Sequence, residues 1–178
     1  DAEPGESSPA SLPLAIYHSA ERGELQRVVK WLGKGGPVDA LCSTTEDGRT
    51  ASFGLLHAAA GIGHLEMTRE LLKRGASVDL RNSLGHTALM EAAYRGHLPT
   101  MRLLLQHSAN PDLQSIKGTT ALMLAAHRGQ EACVQALLRA KANTELLDGD
   151  GRTALRHAEA KGHTTTAKLL RQHASCLS

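Results

Sequence analysis

The amino-acid sequence predicts an all-α solenoid of about five helix-turn-helix repeats behind an irregular N-terminal leader. A threonine recurs at a fixed period of about 33 residues, at Thr87, Thr120 and Thr153. A glycine keeps the same period, at Gly63, Gly96, Gly129 and Gly162. Only one Phe, one Trp and two Tyr are present, which suits a stack held together by Leu and Ala better than one central core.

Each repeat is predicted to contain two short helices. Thr87 can cap a helix start, because its hydroxyl oxygen accepts a hydrogen bond from an otherwise unpaired main-chain N–H. Residues 88–95 then form a two-turn helix, and Gly96 ends it because glycine adopts the left-handed conformation without a Cβ clash. A second apolar helix follows at once, over residues 98–105.

These motifs resemble the ankyrin repeats. The resemblance is carried by three pentapeptides with one pattern, at Gly85-His86-Thr87-Ala88-Leu89, Gly118-Thr119-Thr120-Ala121-Leu122 and Gly151-Arg152-Thr153-Ala154-Leu155. It extends over residues 14–174 and implies a domain with repeats at about 14–46, 47–84, 85–117, 118–150 and 151–174. Residues 1–13 form the leader and 175–178 a short tail.

The two ends of the chain depart from the pattern. The leader is acidic and carries three prolines among Ser and Gly, so a flexible tail and a strap along the repeats or a neighbouring protein both stay open. In the first repeat Trp31 occupies the position held elsewhere by leucine, and we expect it to seal that end of the stack. The second helix of the last repeat is more polar, as expected of the other end.

The second repeat contains an insertion over residues 40–54. The spacing from Gly23 to Gly63 exceeds the repeat period by seven positions. Asp47–Ala51 repeats the sequence of Asp150–Ala154, but the helix that should follow aligns four positions later. We expect the extra residues to add a helical turn or to make a bulged loop. Neutral loop growth and a contact role for Phe53 both stay open.

Two further positions differ from the family pattern. Met90, Met123 and Arg156 replace the histidine that the family usually has near the start of the first helix, and only His57 keeps it. Ser108 and Lys141 replace the glycine that ends the second helix. We expect this replacement to cost stability at both turns.

Composition and motifs argue against several functional classes. The net charge of +2 lacks the strong basic bias of nucleic-acid-binding proteins, and no apolar run is long enough for a membrane helix. His64, His97 and His163 recur with the motif and are interpreted as turn residues. No zinc-ligand spacing, dinucleotide loop or nucleophile pair occurs, and Cys133 is expected to pack. We therefore expect no enzyme, cofactor or metal site.

Three cysteines without a Cys-x-x-Cys motif indicate free thiols. That points to a reducing compartment, either the cytosol or an organelle interior reached after removal of a targeting segment. The sequence does not decide between them.

In ankyrin-repeat proteins the turns and the exposed sides of the first helices form a concave face that binds partners, so we expect the same here. Arg95, Arg128 and Lys161 form a row of cations at the repeat period. The candidate partner-binding residues are Phe53, Leu84, His86, Tyr94, Arg95, Ile116, Lys117, His127, Arg128, Arg152 and Lys161.

Exposed apolar residues beside a row of cations favour a protein partner with an acidic or mixed segment over nucleic acid. A solvated row without a partner is the competing interpretation of these charges. The expected function is a protein-interaction module, monomeric alone or bound in a hetero-complex. The alternative is an assembly subunit that uses the leader and the 40–54 insertion as contacts.

Overall fold

The computed structural model of the chain describes residues 11–46 and 49–175. Within these ranges it contains ten helices and one two-stranded hairpin. The elements are, in order, α1 (Leu14–Glu21), α2 (Leu25–Gly33), β1 (Leu41–Glu46), β2 (Arg49–Gly54), α3 (Leu55–Ile62), α4 (Leu65–Lys73), α5 (Ala88–Arg95), α6 (Leu98–Gln106), α7 (Ala121–His127), α8 (Glu131–Arg139), α9 (Ala154–Ala160) and α10 (Thr164–Ser175).

The helices form five pairs stacked in two layers. The first helices of the pairs pack side by side in chain order, so that α1, α3, α5, α7 and α9 make one layer. From the second pair onward, α4, α6, α8 and α10 make the other layer in the same order. Buried leucines, alanines and methionines fill the space between the layers, including Leu89, Leu104 and Leu122. The predicted helical solenoid is confirmed.

Local sequence sets the starts of the helices. The Oγ1 atom of Thr87 accepts a hydrogen bond from the main-chain N–H of Met90 at 3.4 Å, and Thr120 does the same for Met123 at 3.2 Å. Gly96 follows α5 in the left-handed conformation, with φ of 80°. Threonine caps thus begin α5, α7 and α9, and left-handed glycines follow the first helices, as the sequence predicts.

The ends of the second helices contain two strained residues. Ser108 and Lys141 adopt φ values of 64° and 60°. In the first two pairs the equivalent residues are Gly35 and Gly75, with φ of 92° and 83°. Both replacements thus lie in the left-handed conformation, where Cβ comes close to the carbonyl oxygen, and the loss of stability at these turns stays a prediction.

The insertion forms neither a helical turn nor a bulged loop, and that expectation was wrong. Strand β1 pairs with β2 in antiparallel register from Leu41 opposite Gly54 to Glu46 opposite Arg49. The β-branched threonines of both strands favour extended structure. The intervening Asp47-Gly48 sequence is typical of two-residue hairpin loops, although these two residues lie outside the described part of the chain.

The hairpin is attached to the solenoid on both sides. The N–H group of Leu12 donates to the carbonyl oxygen of Leu41 at 3.1 Å, and that of Ser83 donates to the carbonyl oxygen of Ser52 at 3.3 Å. Leu12 itself is buried. The end of the predicted leader therefore packs on the fold, whereas residues 1–10 and 176–178 lie outside the described residues.

Three histidines join neighbouring pairs of helices. His64, His97 and His163 each donate an Nε2–H bond to a main-chain carbonyl of the preceding first helix or its end, at 2.8, 3.1 and 3.1 Å respectively. A Cβ atom added at Gly63 would lie 2.6 Å from Nδ1 of His97. Gly63 thus allows the left-handed turn and also leaves room for the imidazole of the next repeat. His64, His97 and His163 therefore have a structural role.

Candidate functional site

A row of exposed side chains lies at the C-terminal ends of the first helices, on one face of their layer. It consists of the residues that precede the left-handed glycines, namely Arg22, Ile62, Arg95, Arg128 and Lys161. Because the first helices pack side by side in chain order, these residues follow one another across the face. Within the described residues, no carboxylate forms an ion pair with the last three of them. Their charges are available to a partner.

Two of the predicted contact residues touch each other. The guanidinium carbon of Arg128 lies 4.9 Å from the centroid of the Tyr94 ring. A cation over an aromatic ring at an exposed site contributes about 0.5–1 kcal/mol. Tyr94 is half-buried, so a partner that reaches its ring also meets the Arg128 guanidinium.

His127 lies at the same level of the next pair of helices. Its ring centroid is 5.8 Å from that of His157. Burial lowers the pKa of His127, and the positive charges of Lys161, His157 and Arg128 lower it further. The lowered pKa favours the uncharged imidazole of His127 beside the cationic row.

The turn tips between the pairs form a continuous ribbon. The N–H of Ile116 donates to the carbonyl oxygen of Leu84 at 3.1 Å, and that of Gly149 donates to the carbonyl oxygen of Lys117 at 2.8 Å. Leu84 is 42% exposed and Ile116 71% exposed. The tips therefore present large apolar side chains on a main chain that is held in place.

A side-chain oxygen organises each of these turns. Asn82 Oδ1 accepts hydrogen bonds from the N–H groups of Leu84 and His86, both at 2.9 Å. Asp148 Oδ1 accepts from Asp150 and Arg152 at 3.0 and 2.9 Å. Ser115 has the same role in the turn between them.

Two of the predicted contact residues already have partners within the chain. His86 Nδ1 lies 3.1 Å from the Oε1 atom of Glu91. Arg152 Nη2 lies 3.1 Å from Asp148 Oδ2 and 2.5 Å from Asp150 Oδ2. A protein partner would have to displace these carboxylates in order to pair with His86 or Arg152. Both residues are therefore weaker contact candidates than Arg95 or Lys161.

Phe53 projects from β2 toward a cleft beside α1, α3 and α5. Its ring centroid is 6.2 Å from that of Tyr17. The cleft has a volume of about 200 Å³ and is also lined by Glu21, Glu91 and Arg95. The hairpin thus places Phe53 in the same cleft as Arg95.

The His, Cys, Asp and Glu side chains of the described chain are the residues that could hold a metal ion. No group of three or more His, Cys, Asp or Glu among them is placed to hold a metal ion. Cys42 and Cys133 are buried, and burial raises the pKa of both thiols. No helix in residues 11–46 and 49–175 is long and apolar enough to cross a membrane.

A family model described as ankyrin repeats in three copies matches residues 16–115 and 107–177. The matched regions cover most of the chain and contain the stacked helix pairs. This chain is an ankyrin-repeat protein. A search of curated proteins finds no match.

Ankyrin repeats are generally protein–protein interaction modules, which implies protein partners for this chain. Domains of this family are typically non-catalytic, and no catalytic family is detected.

In this ankyrin-repeat protein, the predicted contact residues lie in three neighbouring places. The hairpin carries Phe53. The first-helix ends carry Tyr94, Arg95, His127, Arg128 and Lys161, and the turn tips carry Leu84, His86, Ile116, Lys117 and Arg152. The repeat pattern did not indicate the cleft residues Tyr17, Glu21 and Glu91, nor Leu147, which is 54% exposed.

One sequence signal could have indicated the cleft. Gly61 stands one repeat period before Tyr94 and two periods before His127, at a position that carries a side chain in the later repeats. A glycine at that register leaves space on the face of α3. The other walls of the cleft come from α1 and the hairpin, which the repeat pattern does not place.

Proposed function

We propose that this ankyrin-repeat protein binds an extended segment of a protein partner across its concave face and turn tips. The observation that carries the proposal is the row Arg95, Arg128 and Lys161, whose charges have no ion-pair partner among the described residues. Exposed Leu84 and Ile116 lie on the adjoining ribbon of turns. Charged rims around apolar anchors are characteristic of protein interfaces.

An acidic stretch of the partner would meet the cationic row. Solvent-exposed charges of this kind contribute little affinity singly and act mainly on the association rate. The apolar and aromatic anchors, Tyr94 foremost, would supply more of the binding energy. Salt should therefore slow association more than it speeds dissociation.

The 40–54 hairpin is proposed as a second contact region. Ser52 is hydrogen-bonded to Ser83 through both the main chain and the Ser83 hydroxyl, at 3.3 and 2.9 Å. The hairpin is therefore continuous with the ribbon of turn tips. A segment lying along the tips would extend onto β2 near Phe53.

A second candidate function is that of a subunit in a larger assembly. The hairpin favours it, since it interrupts the repeat pattern and is bonded to Leu12 at the end of the leader. The two functions differ in whether the chain releases its partner and binds it again. An interaction module is recovered free of its partner, whereas a subunit is always recovered with it.

Affinity purification with mass spectrometry would identify the partner, and three variants would map the surface. We expect the triple variant Arg95→Glu, Arg128→Glu, Lys161→Glu to lose most capture. Tyr94→Ala should lose about 2 kcal/mol of binding free energy. The matched control reverses three exposed charges on the second helices, Arg102→Glu, Arg139→Glu and Lys168→Glu. Undiminished capture by the folded triple variant and by Tyr94→Ala would disprove the concave-face proposal.

A further inference from the structure

The cleft beside the hairpin differs in character from the rest of the concave face. Its walls combine two aromatic rings, Tyr17 and Phe53, with two carboxylates, Glu21 and Glu91. Among the lining residues that the structure describes, Arg95 is the one Arg or Lys. These lining residues therefore carry more negative than positive charge, whereas the row from Arg95 to Lys161 is cationic.

Gly61 leaves the cleft open, and the fold does not require a glycine there. It lies within α3, and a Cβ atom added to it would lie 3.7 Å from the Cβ atom of Glu91, an ordinary contact distance. Glycine in a helix costs about 1 kcal/mol relative to alanine. Tyr94 and His127 occupy the same register in the next two repeats. The space is thus a specific feature of this repeat.

Both glutamates line this space, and each has a histidine beside its carboxylate. Glu91 Oε1 lies 3.1 Å from His86 Nδ1, and its Oε2 atom lies 4.0 Å from the position of a Gly61 Cβ. Glu21 Oε2 lies 2.8 Å from His18 Nδ1. Burial raises the pKa of Tyr17, and the charge of Glu21, a side-chain hydrogen bond to Glu21 and the charge of Glu91 raise it further.

We propose that this cleft holds one basic side chain, arginine or lysine, of the partner segment. The Tyr17 and Phe53 rings offer π-faces to its cation, and Glu21 and Glu91 offer oxygen acceptors for charge-assisted hydrogen bonds. An apolar side chain would remove the carboxylates from water without replacing their hydrogen bonds, which is unfavourable.

This inference rests on the proposed function and gives the bound segment a direction. A basic residue enters the cleft at the hairpin end, and acidic residues of the same segment lie over Arg128 and Lys161. A segment with the reverse order of charges would place its acidic residues against Glu21 and Glu91.

The site can be tested with small probes that need no identified partner. The full chain is titrated with N-acetyl-arginine amide, N-acetyl-lysine amide and the uncharged N-acetyl-norleucine amide, and NMR shifts of Gly61, Tyr17 and Phe53 are followed. We expect saturable changes with at least one basic probe, with a dissociation constant on the order of 1–10 mM, and none with norleucine.

Two variants test the assignment. Gly61→Tyr fills the space with the residue found at Tyr94 and should abolish the response. Its control, Gly33→Tyr, alters a glycine on α2 with open space around it. Glu21→Gln with Glu91→Gln should weaken the response at least about tenfold, a change of about 1.4 kcal/mol. Its control is Glu66→Gln with Glu131→Gln, on exposed second-helix residues. Unfolding midpoints show that each variant is folded.

Three results would each overturn the basic-side-chain site. These are an equal response to norleucine, no saturable response to either basic probe, and a response that survives both cleft variants. If the Arg95, Arg128 and Lys161 variant loses partner capture while the probes do not bind the wild type, the proposed function stands and the cleft site is wrong. If the probes bind but partner capture does not depend on Arg95, Arg128 and Lys161, the cleft site stands and the proposed function is wrong.

Discussion

The Nε2 atom of His157 lies 2.8 Å from the Oδ2 atom of Asp148, a carboxylate whose side chain is 2% exposed. Burial alone would raise the pKa of Asp148. Hydrogen bonds to the carboxylate outweigh the effect of burial and lower the pKa to about 2. They come from the main chain of Arg152, the His157 ring, the Arg152 side chain and the Asp150 N–H. The last turn of the solenoid is therefore held by one ionised carboxylate.

We predict that Asp148→Asn lowers the free energy of unfolding by about 1–3 kcal/mol at pH 7. The amide keeps an oxygen for the turn N–H groups, as in Asn82, but loses the charge that faces His157. A carboxyl with a depressed folded-state pKa stabilises the fold above its unfolded pKa, and loses that contribution as pH falls through the folded value.

The pH window for this contribution runs from about 3.8 down to about 2. In urea unfolding, the free energy of unfolding of the wild type should decrease across this pH window, and that of the variant should decrease less. Asp150→Asn, at a 73% exposed side chain, is the control and should be nearly neutral at pH 7. Equal pH slopes for wild type and Asp148→Asn would contradict the assignment.

His57→Met should destabilise the fold by about 1–3 kcal/mol at pH 7.5. His57 Nδ1 accepts from the Gly54 N–H, so its Nε2–H donates to the carbonyl oxygens of Leu80 and His86, both at 3.0 Å. Methionine, which occupies the same register at Met90, supplies no donor for these buried carbonyls. Arg156→Met, at an exposed equivalent position, is the control.

Burial lowers the pKa of His57 below 6.5, so the folded state disfavours its protonation. The contribution of His57 to the free energy of unfolding is fully present above pH 6.5 and declines as the pH falls below 6.5. We expect the stability difference between wild type and His57→Met to shrink between pH 7.5 and 5.5. A difference that grows over that range would mean that the folded state favours the charged imidazole.

Ser108→Gly and Lys141→Gly should each stabilise the protein by about 0.5–1 kcal/mol, because both residues have left-handed φ values. That conformation costs an L-residue with a Cβ atom roughly 1–2 kcal/mol. Part of the gain is lost because glycine raises the entropy of the unfolded chain. Thermal unfolding measures the change. Ala140→Gly, one residue before Lys141 at φ of −78°, should destabilise instead.

Leu104→Ala should cost about 2–5 kcal/mol, since Leu104 is fully buried between neighbouring pairs of helices. Arg102→Ala, on the exposed side of the same helix, should cost less than about 0.5 kcal/mol. Denaturant unfolding of both variants provides the comparison. Similar losses would show that the faces of α6 are assigned wrongly.

Much of the fold could be predicted because it is local. The Thr87 cap depends on a bond to Met90 in the next helical turn, and the Gly96 turn depends on one residue's conformation. Such features leave a mark at each repeat, so the helix pairs were predicted correctly. The strain at Ser108 and Lys141 was predictable for the same reason, from the glycine missing at that register.

The candidate surface was only partly predictable. Periodicity places Arg95, Arg128 and Lys161 in one row, but it does not show that Arg128 covers Tyr94 or that Asp150 engages Arg152. Those contacts depend on side-chain directions between neighbouring repeats or within a folded turn. They decide which of the predicted contact residues have free charges.

The sequence by itself determined the repeat architecture, because caps, turn glycines and apolar periodicity act within a few residues of each other. Tertiary structure alone decided that residues 41–46 and 49–54 pair as a hairpin, and that Phe53 meets Tyr17. It also decided that Glu21 and Glu91, which belong to different repeats, line one cleft. The physical reason is that strand pairing and cleft formation depend on contacts between distant segments, and the hairpin has no counterpart in the other repeats.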